Sequence, residues 1–153
     1  MKKILILNGS HSEIPLIKAA LLYDLKLYIT GTNKDAIGNK YGNDYINIDY
    51  SDKEKILELA RKINIDYVCA PAHDLGLLTA TYVANNLSLP GYDNINTTNK
   101  IIYKDEFKKI SKQINFKTAR EYSNHTSFSK LTTLNKKNKF IMKPIDAGGG
   151  RGI

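Results

Sequence analysis

The residues best placed to do chemistry crowd into the last stretch of the sequence, Phe140-Ile141-Met142-Lys143-Pro144-Ile145-Asp146-Ala147-Gly148-Gly149-Gly150-Arg151-Gly152-Ile153. A short apolar run closes on a lysine and a proline and gives way to glycines interrupted only by Arg151. Glycine lets successive backbone N–H groups converge on one concavity and approach a ligand closely, which suits a polyphosphate. Lys143 supplies a mobile point charge for the same anion. Lys100 and Lys104 are four residues apart, so on a single helix they share a face and can reach toward one anion; the plainer role for both is to keep that helix soluble. Asp146, just before the glycines, reads as a turn former rather than a metal ligand.

These groups need elements to hold them. Lys3 to Leu7 is a continuous apolar run closed by Asn8-Gly9-Ser10, as expected of a parallel strand buried on both faces. Ser12 is placed to cap the next helix, Pro15 falls in its first turn, and Ile14, Ile17 and Leu21 predict its buried stripe. A second strand runs from Lys26 to Thr30 and a third from Tyr45 to Ile48, with a loop between them over 32–43. Ser51 and Glu54 have capping-box spacing ahead of a helix through Ile56, Leu59, Ala60 and Ile63. Asp66 to Ala70 is the fourth strand, followed by Pro71-Ala72-His73-Asp74 and a helix through Leu77, Leu78, Ala84 and Leu87 that Pro90-Gly91 stops.

Strands alternating with helices predict an open, parallel, Rossmann-like sheet with helices on both faces. Ligands of such sheets lie at the carboxyl ends of the strands. Asn8, Gly9, Ser10, His11, His73 and Asp74 are therefore the substrate-side candidates. His11 and His73 lack a third ligand at metal spacing, and His125 falls in a polar loop, so no metal site is predicted. Tyr92 to Asn96 reads as a linker. Beyond it Thr97 or Thr98 can cap a helix burying Phe107, Ile110 and Ile114, and Lys117 to Tyr122 is extended. A short helix over Ser127 to Leu134 and a strand from Phe140 to Lys143 then lead into the glycines, completing a second unit.

Composition narrows the classes. The chain has 153 residues, 42% of them hydrophobic, enough for one domain of ordinary size with part of another. No apolar run approaches the roughly 20 residues of a membrane span, and the start is too short for a signal-peptide core. With Cys69 the single cysteine, read as a small buried strand-end residue, the expectation is a cytoplasmic protein without membrane contact. The net charge of +8, from 23 basic and 15 acidic residues, raises nucleic acid as a partner. The lysines are nevertheless dispersed, and Lys136-Lys137-Asn138-Lys139 has no aromatic platform, so a solvated surface is the better reading.

No Gly-x-x-x-x-Gly-Lys-Ser/Thr string occurs, and the first turn is Asn8-Gly9-Ser10-His11-Ser12 rather than Gly-x-Gly-x-x-Gly. A nicotinamide or flavin cofactor is disfavoured. The late glycine loop after Lys143-Pro144 suits instead a hairpin flap over phosphates. In these features the whole chain resembles the front of an ATP-grasp enzyme, of the sort related to the large subunit of carbamoyl-phosphate synthase, biotin carboxylase and the purine-pathway ligases. Pro15-Leu16-Ile17-Lys18-Ala19-Ala20 resembles the first helix of that family's leading domain. Tyr45-Ile46-Asn47-Ile48-Asp49 resembles the close of its third strand, and Ala70-Pro71-Ala72-His73-Asp74 the loop after its fourth. Asn99-Lys100-Ile101-Ile102-Tyr103-Lys104 stands where the family usually opens its nucleotide lobe with Asp-Lys, with asparagine in place of that aspartate.

The resemblance implies a pre-ATP-grasp domain over 1–96 and the start of an ATP-grasp nucleotide lobe over 97–153, truncated in the glycine loop. It implies an ATP- and magnesium-dependent carboxylate-amine ligase working through an acylphosphate, with ATP and a small carboxylate as ligands. Lys104, Lys143 and the lid formed by Gly148, Gly149, Gly150, Arg151 and Gly152 would contact ATP, with Lys143 on the α and β phosphates. The magnesium ligands and catalytic arginine of the family lie beyond Ile153, so this stretch holds no catalytic residue and is expected to be inactive alone. The carboxylate, the nucleophile and the oligomeric state stay open, and a homodimer through the leading domain is compatible with the family. The alternative from a different class is a non-catalytic α/β module for an anionic partner.

Overall fold

A computed structural model describes residues 1–119 together with Ser129, Thr133 and Ile141. The chain divides into two units, Met1–Asn99 and Lys100–Ile153. In the first, β1 (Lys3–Leu7), β2 (Lys26–Gly31), β3 (Asp44–Asn47) and β4 (Tyr67–Cys69) form one parallel sheet in the order β3-β2-β1-β4. Register runs Leu5↔Tyr28 between β1 and β2, Leu5↔Val68 between β1 and β4, and Ile29↔Tyr45 between β2 and β3.

Side chains alternate across the pleat, so β1 supplies both faces. Leu5 and Leu7 join Tyr28 and Val68 against α2 (Lys53–Ile63) and α3 (Asp74–Leu87), through Ile56, Leu57, Ala60, Ala80, Val83 and Ala84. Ile4 and Ile6 join Leu27 and Ile29 against α1 (Ile14–Leu22), through Ile17 and Ala20. A helix thus covers each face, as the alternating pattern predicts. Each fully buried Leu or Ile stabilises the fold by about 1.5–3 kcal/mol relative to exposure.

Several local expectations are corrected. The helix α1 buries Ile17 and Ala20, whereas Leu21 is 42% exposed: the sheet-facing stripe is set three residues apart and passes Leu21 by. A one-turn 3-10 helix, His11–Glu13, precedes α1, so Ser10 rather than Ser12 occupies the N-cap position. Asp52, not Ser51, caps α2, its carboxylate accepting from the Lys55 N–H at 3.2 Å. The stretch after Pro90-Gly91 is also not a free linker. Tyr92 packs on the α2/α3 side of the core, and Asn94 Oδ1 accepts from the N–H groups of Asn96 and Thr97 at 2.9 and 3.1 Å. This cap starts α4 (Ile95–Ile102) earlier than Thr97 or Thr98 would.

The single helix expected beyond residue 97 is two. Tyr103 is extended, with φ −76° and ψ 122°, and separates α4 from α5 (Lys104–Gln113). Phe107 and Ile114 are 42% and 67% exposed, and within α5 only Ser111 is buried. The expected helix around Ser127 and the strand from Phe140 to Lys143 lie outside the described residues, apart from Ser129, Thr133 and Ile141. Among the described residues no helix is long and apolar enough to cross a membrane.

Burial predicts which leucines matter. Leu5→Ala, at a fully buried position, is expected to lower the unfolding free energy by about 2–5 kcal/mol in urea titration. Leu22→Ala, at an 87% exposed position, is expected to stay within about 0.5 kcal/mol of the parent sequence. Equal losses for the two would contradict the packing described.

Candidate functional site

The turn after β1 is built around a carboxylate. Asn8 leaves the strand at φ 101°, a left-handed conformation that asparagine tolerates better than most residues. Its N–H still donates to the Thr30 carbonyl at 2.9 Å, extending the pairing with β2 by one residue. Gly9 is then pressed between neighbouring segments. Its carbonyl accepts from the Gly38 N–H at 2.7 Å, and a Cβ on Gly9 would lie 2.1 Å from Asn39 Oδ1 and 3.1 Å from Ile29 Cγ2, so a side chain here requires Asn39 to shift.

Glu13 closes the arrangement from the first turn of the following helix. It is 2% exposed. Its Oε2 accepts from the Ser10 N–H at 3.0 Å, from Ser10 Oγ at 2.5 Å and from Asn8 Nδ2 at 3.1 Å. Its Oε1 accepts from the Ala72 N–H at 3.1 Å, in the loop after β4. Burial alone would push the Glu13 carboxyl above the usual carboxylate range, but hydrogen bonds from Ser10, Ala72 and Ser12 outweigh it and hold the group below that range. Sequence reasoning missed Glu13. The signal available was the Ser10-x-x-Glu13 spacing of a capping box, hidden because Ser12 competed for the same helix start.

The loop after β4 is held as firmly. The Tyr92 hydroxyl accepts from the Ala70 N–H at 3.0 Å and donates to the Val68 carbonyl at 3.3 Å, and burial pushes its pKa up to about 12. His73 is the N-cap of α3, its Nδ1 accepting from the Leu75 N–H at 3.3 Å, and its ring lies 6.2 Å from that of Tyr50. Asp74 begins α3, where a negative charge complements the helix dipole. His11 begins the 3-10 turn and is exposed.

Of the substrate-side candidates, Asn8 and Ser10 are therefore joined through Glu13 to the segment carrying His73 and Asp74. Their polar groups are largely committed to the fold. Cys69, the last residue of β4, is half-buried, and burial pushes its thiol up, away from nucleophilic use near neutral pH. Among the described residues no group of three His, Cys, Asp or Glu could hold a metal ion.

The phosphate-side candidates fare differently. Lys100 lies in α4 and Lys104 opens α5, so the break at Tyr103 removes the shared helical face expected of the pair. Lys143, Gly148, Gly149, Gly150, Arg151 and Gly152 lie outside the described residues, as do Asp146 and His125. A cavity of about 710 Å³ flanked by Lys2, Ile4, Tyr23, Tyr67, Cys69 and Tyr92 includes none of the candidate residues. It sits by the amino-terminal half of β1 rather than at the strand ends where ligands of such sheets bind.

No protein-family model and no curated protein matches the sequence. Solved structures match the fold. Phosphoribosylglycinamide synthetase from Anaerococcus prevotii superposes with a TM-score of 0.70 at 20% identity, over 91% of this chain and 35% of that one. The biotin carboxylase domain of 2-oxoglutarate carboxylase from Hydrogenobacter thermophilus, a dimer in complex with MgADP, ADP and bicarbonate, gives 0.75 at 16% identity, over 99% of this chain and 36% of that one. L-amino acid ligase from Bacillus licheniformis gives 0.69 at 20% identity, over 96% and 38%. The fold is thus that of the amino-terminal part of ATP-grasp enzymes. The likeness does not single out carbamoyl-phosphate synthase. The chain spans little more than a third of the length of each of these structures.

The Glu13 geometry fixes a pH dependence. Its folded pKa lies below its unfolded one, so the carboxylate contributes stability that is fully present above the unfolded value and is lost as pH falls through the folded one. Urea midpoints are expected to stay level from pH 7 to about 5 and fall below about 4.3, the ordinary glutamate value. Glu13→Ala, which strands buried N–H donors, is expected to cost about 2–4 kcal/mol at pH 7 and to flatten that acid slope. An unchanged slope in the variant would remove Glu13 from this role.

Proposed function

We propose that the chain is the leading part of an ATP-dependent ligase of the ATP-grasp type, which phosphorylates a small carboxylate and lets a nucleophile such as an amine displace the phosphate. The observation that carries this reading is the fold likeness to the MgADP- and bicarbonate-bound biotin carboxylase domain, which extends over 99% of the chain. The order of sequence features supports it: a Rossmann-like domain over 1–96 without a dinucleotide fingerprint, then a unit over 97–153 carrying Lys104, Lys143 and a glycine-rich loop.

Phosphoryl transfer depends on positioning and on neutralising charge, with little covalent chemistry for the protein to do. In this reading Lys143 sits on the α and β phosphates of ATP, and Lys104 adds a second cation. Gly148, Gly149, Gly150, Arg151 and Gly152 supply backbone N–H donors that close over the nucleotide and keep water from the acylphosphate. In this reading the family's magnesium ligands lie further along the ligase; among the described residues no acidic cluster is present. The strand-end loops bearing Asn8 to His11 and His73-Asp74 face the carboxylate side. This division leaves the 153-residue chain without catalytic activity of its own. Self-association through the leading domain has support from the dimeric carboxylase domain of the same fold.

Isothermal titration with Mg-ATP tests the assignment. The full-length ligase is expected to bind Mg-ATP, and Lys143→Ala to weaken binding about 10- to 150-fold, the equivalent of roughly 1.5–3 kcal/mol for a hydrogen bond to a charged group. The 153-residue chain alone is expected to bind weakly or not at all. Unchanged affinity in the variant would take Lys143 out of the site. A steep salt dependence of binding to random nucleic acid, without any Mg-ATP binding, would favour the anionic-partner module instead.

A further inference from the structure

In Rossmann-like folds the turn after the first strand is an anion site, because its backbone N–H groups and the start of the following helix point at a pyrophosphate. Here the same turn has donors aimed inward in the same way, but they already have an anion. The Ser10 N–H, Ser10 Oγ and Asn8 Nδ2 converge on Glu13 Oε2, and the Ala72 N–H reaches Oε1 from the loop after β4. Three donors thus crowd on Oε2 and one reaches Oε1, a distribution an ionised carboxylate, which only accepts, can serve.

We propose that the Glu13 carboxylate is a built-in occupant of the anion position at the end of β1, closing that turn to phosphate and carboxylate ligands and clamping the two strand-end loops at one separation. Two physical effects support the exclusion. The Ser10 N–H, Ser10 Oγ and Asn8 Nδ2 are taken up by Glu13, so an incoming anion could reach those donors only by displacing it. It would also meet a like charge at a site that is 2% exposed, where repulsion is poorly screened. The clamp follows from the two oxygens serving different segments: Oε2 holds the Asn8–Ser10 turn and Oε1 holds Ala72. The hydrogen bonds that hold Glu13 ionised come from the neutral groups Ser10, Ala72 and Ser12, so the arrangement needs no cation to balance it. An acceptor substrate on this side is then read by groups other than the turn's own N–H donors, the exposed His11 among them.

Two-dimensional NMR of the 15N-labelled chain tests this without a nucleotide, so the result is separate from that of the Mg-ATP titration. At neutral pH, inorganic pyrophosphate is expected to leave the Ser10 and Ala72 amide signals unmoved; saturable shifts at both would overturn the proposal. On acidification the same two amides are expected to move together through one inflection below the ordinary carboxylate range. Separate inflections, or none, would overturn the clamp. Glu13→Ala empties the position and is expected to gain pyrophosphate-dependent shifts at Ser10 and Ala72 at millimolar ligand; a folded variant that gains none counts against the exclusion. If that variant does not fold, the two measurements on the unmodified chain still decide.

Discussion

Parallel strands end together, and at that edge the backbone N–H groups of several loops come to lie side by side with no ladder to satisfy them. In this protein one buried carboxylate resolves the problem for two loops at once. Glu13 accepts from the turn after β1 and from the loop after β4, the two neighbours at the centre and side of the sheet. Desolvating a carboxylate is costly, and the balance is favourable only because every oxygen has close donors. The same bonds that offset the cost fix where the loops can be. A neutral side chain of similar size would leave buried N–H groups unpaired, so the charge is a structural requirement before it is anything else.

The strain at Asn8 follows from that requirement. The residue is held at φ 101° from both sides, by its N–H on the Thr30 carbonyl and by its side chain on Glu13. Backbone in this region persists only where its surroundings over-determine it. The surroundings here are the fully buried β1 and β2 behind the turn and the close approach of Gly38 to Gly9 in front of it. The core thus supplies the stability that offsets the strain of the turn.

The centre of the sheet was legible from the sequence because β1 and β2 are apolar runs flanked by turn residues and α2 keeps its period. The run Lys3 to Leu7 and the stripe through Ile56 and Ala60 leave little choice. The errors have a common cause. At helix starts several Ser, Thr, Asp and Asn residues compete, and tertiary contacts choose among them. Ser10 wins over Ser12 because Glu13 can turn back on it, Asp52 wins over Ser51, and Asn94 wins over both threonines. The break at Tyr103 was hidden for a different reason: Ile-Ile-Tyr-Lys carries no proline or glycine, and the amphipathic pattern runs straight through it. For Glu13 only half of its role had a local signal, the Ser10-x-x-Glu13 spacing; its other partner, Ala72, lies far along the chain.

These facts bear on where nucleotide chemistry can happen. A Rossmann-like sheet that binds phosphate does so at its first turn, through free N–H groups near a helix start. In this sheet the Ser10 N–H of that turn is already bonded to Glu13, and the glycine fingerprint is absent for the same stretch. That turn is therefore shaped around the protein's own carboxylate, however closely its topology matches folds that hold a phosphate there. The lysine and consecutive glycines whose types suit a phosphate stand instead late in the sequence, at Lys143 and Gly148 to Gly150.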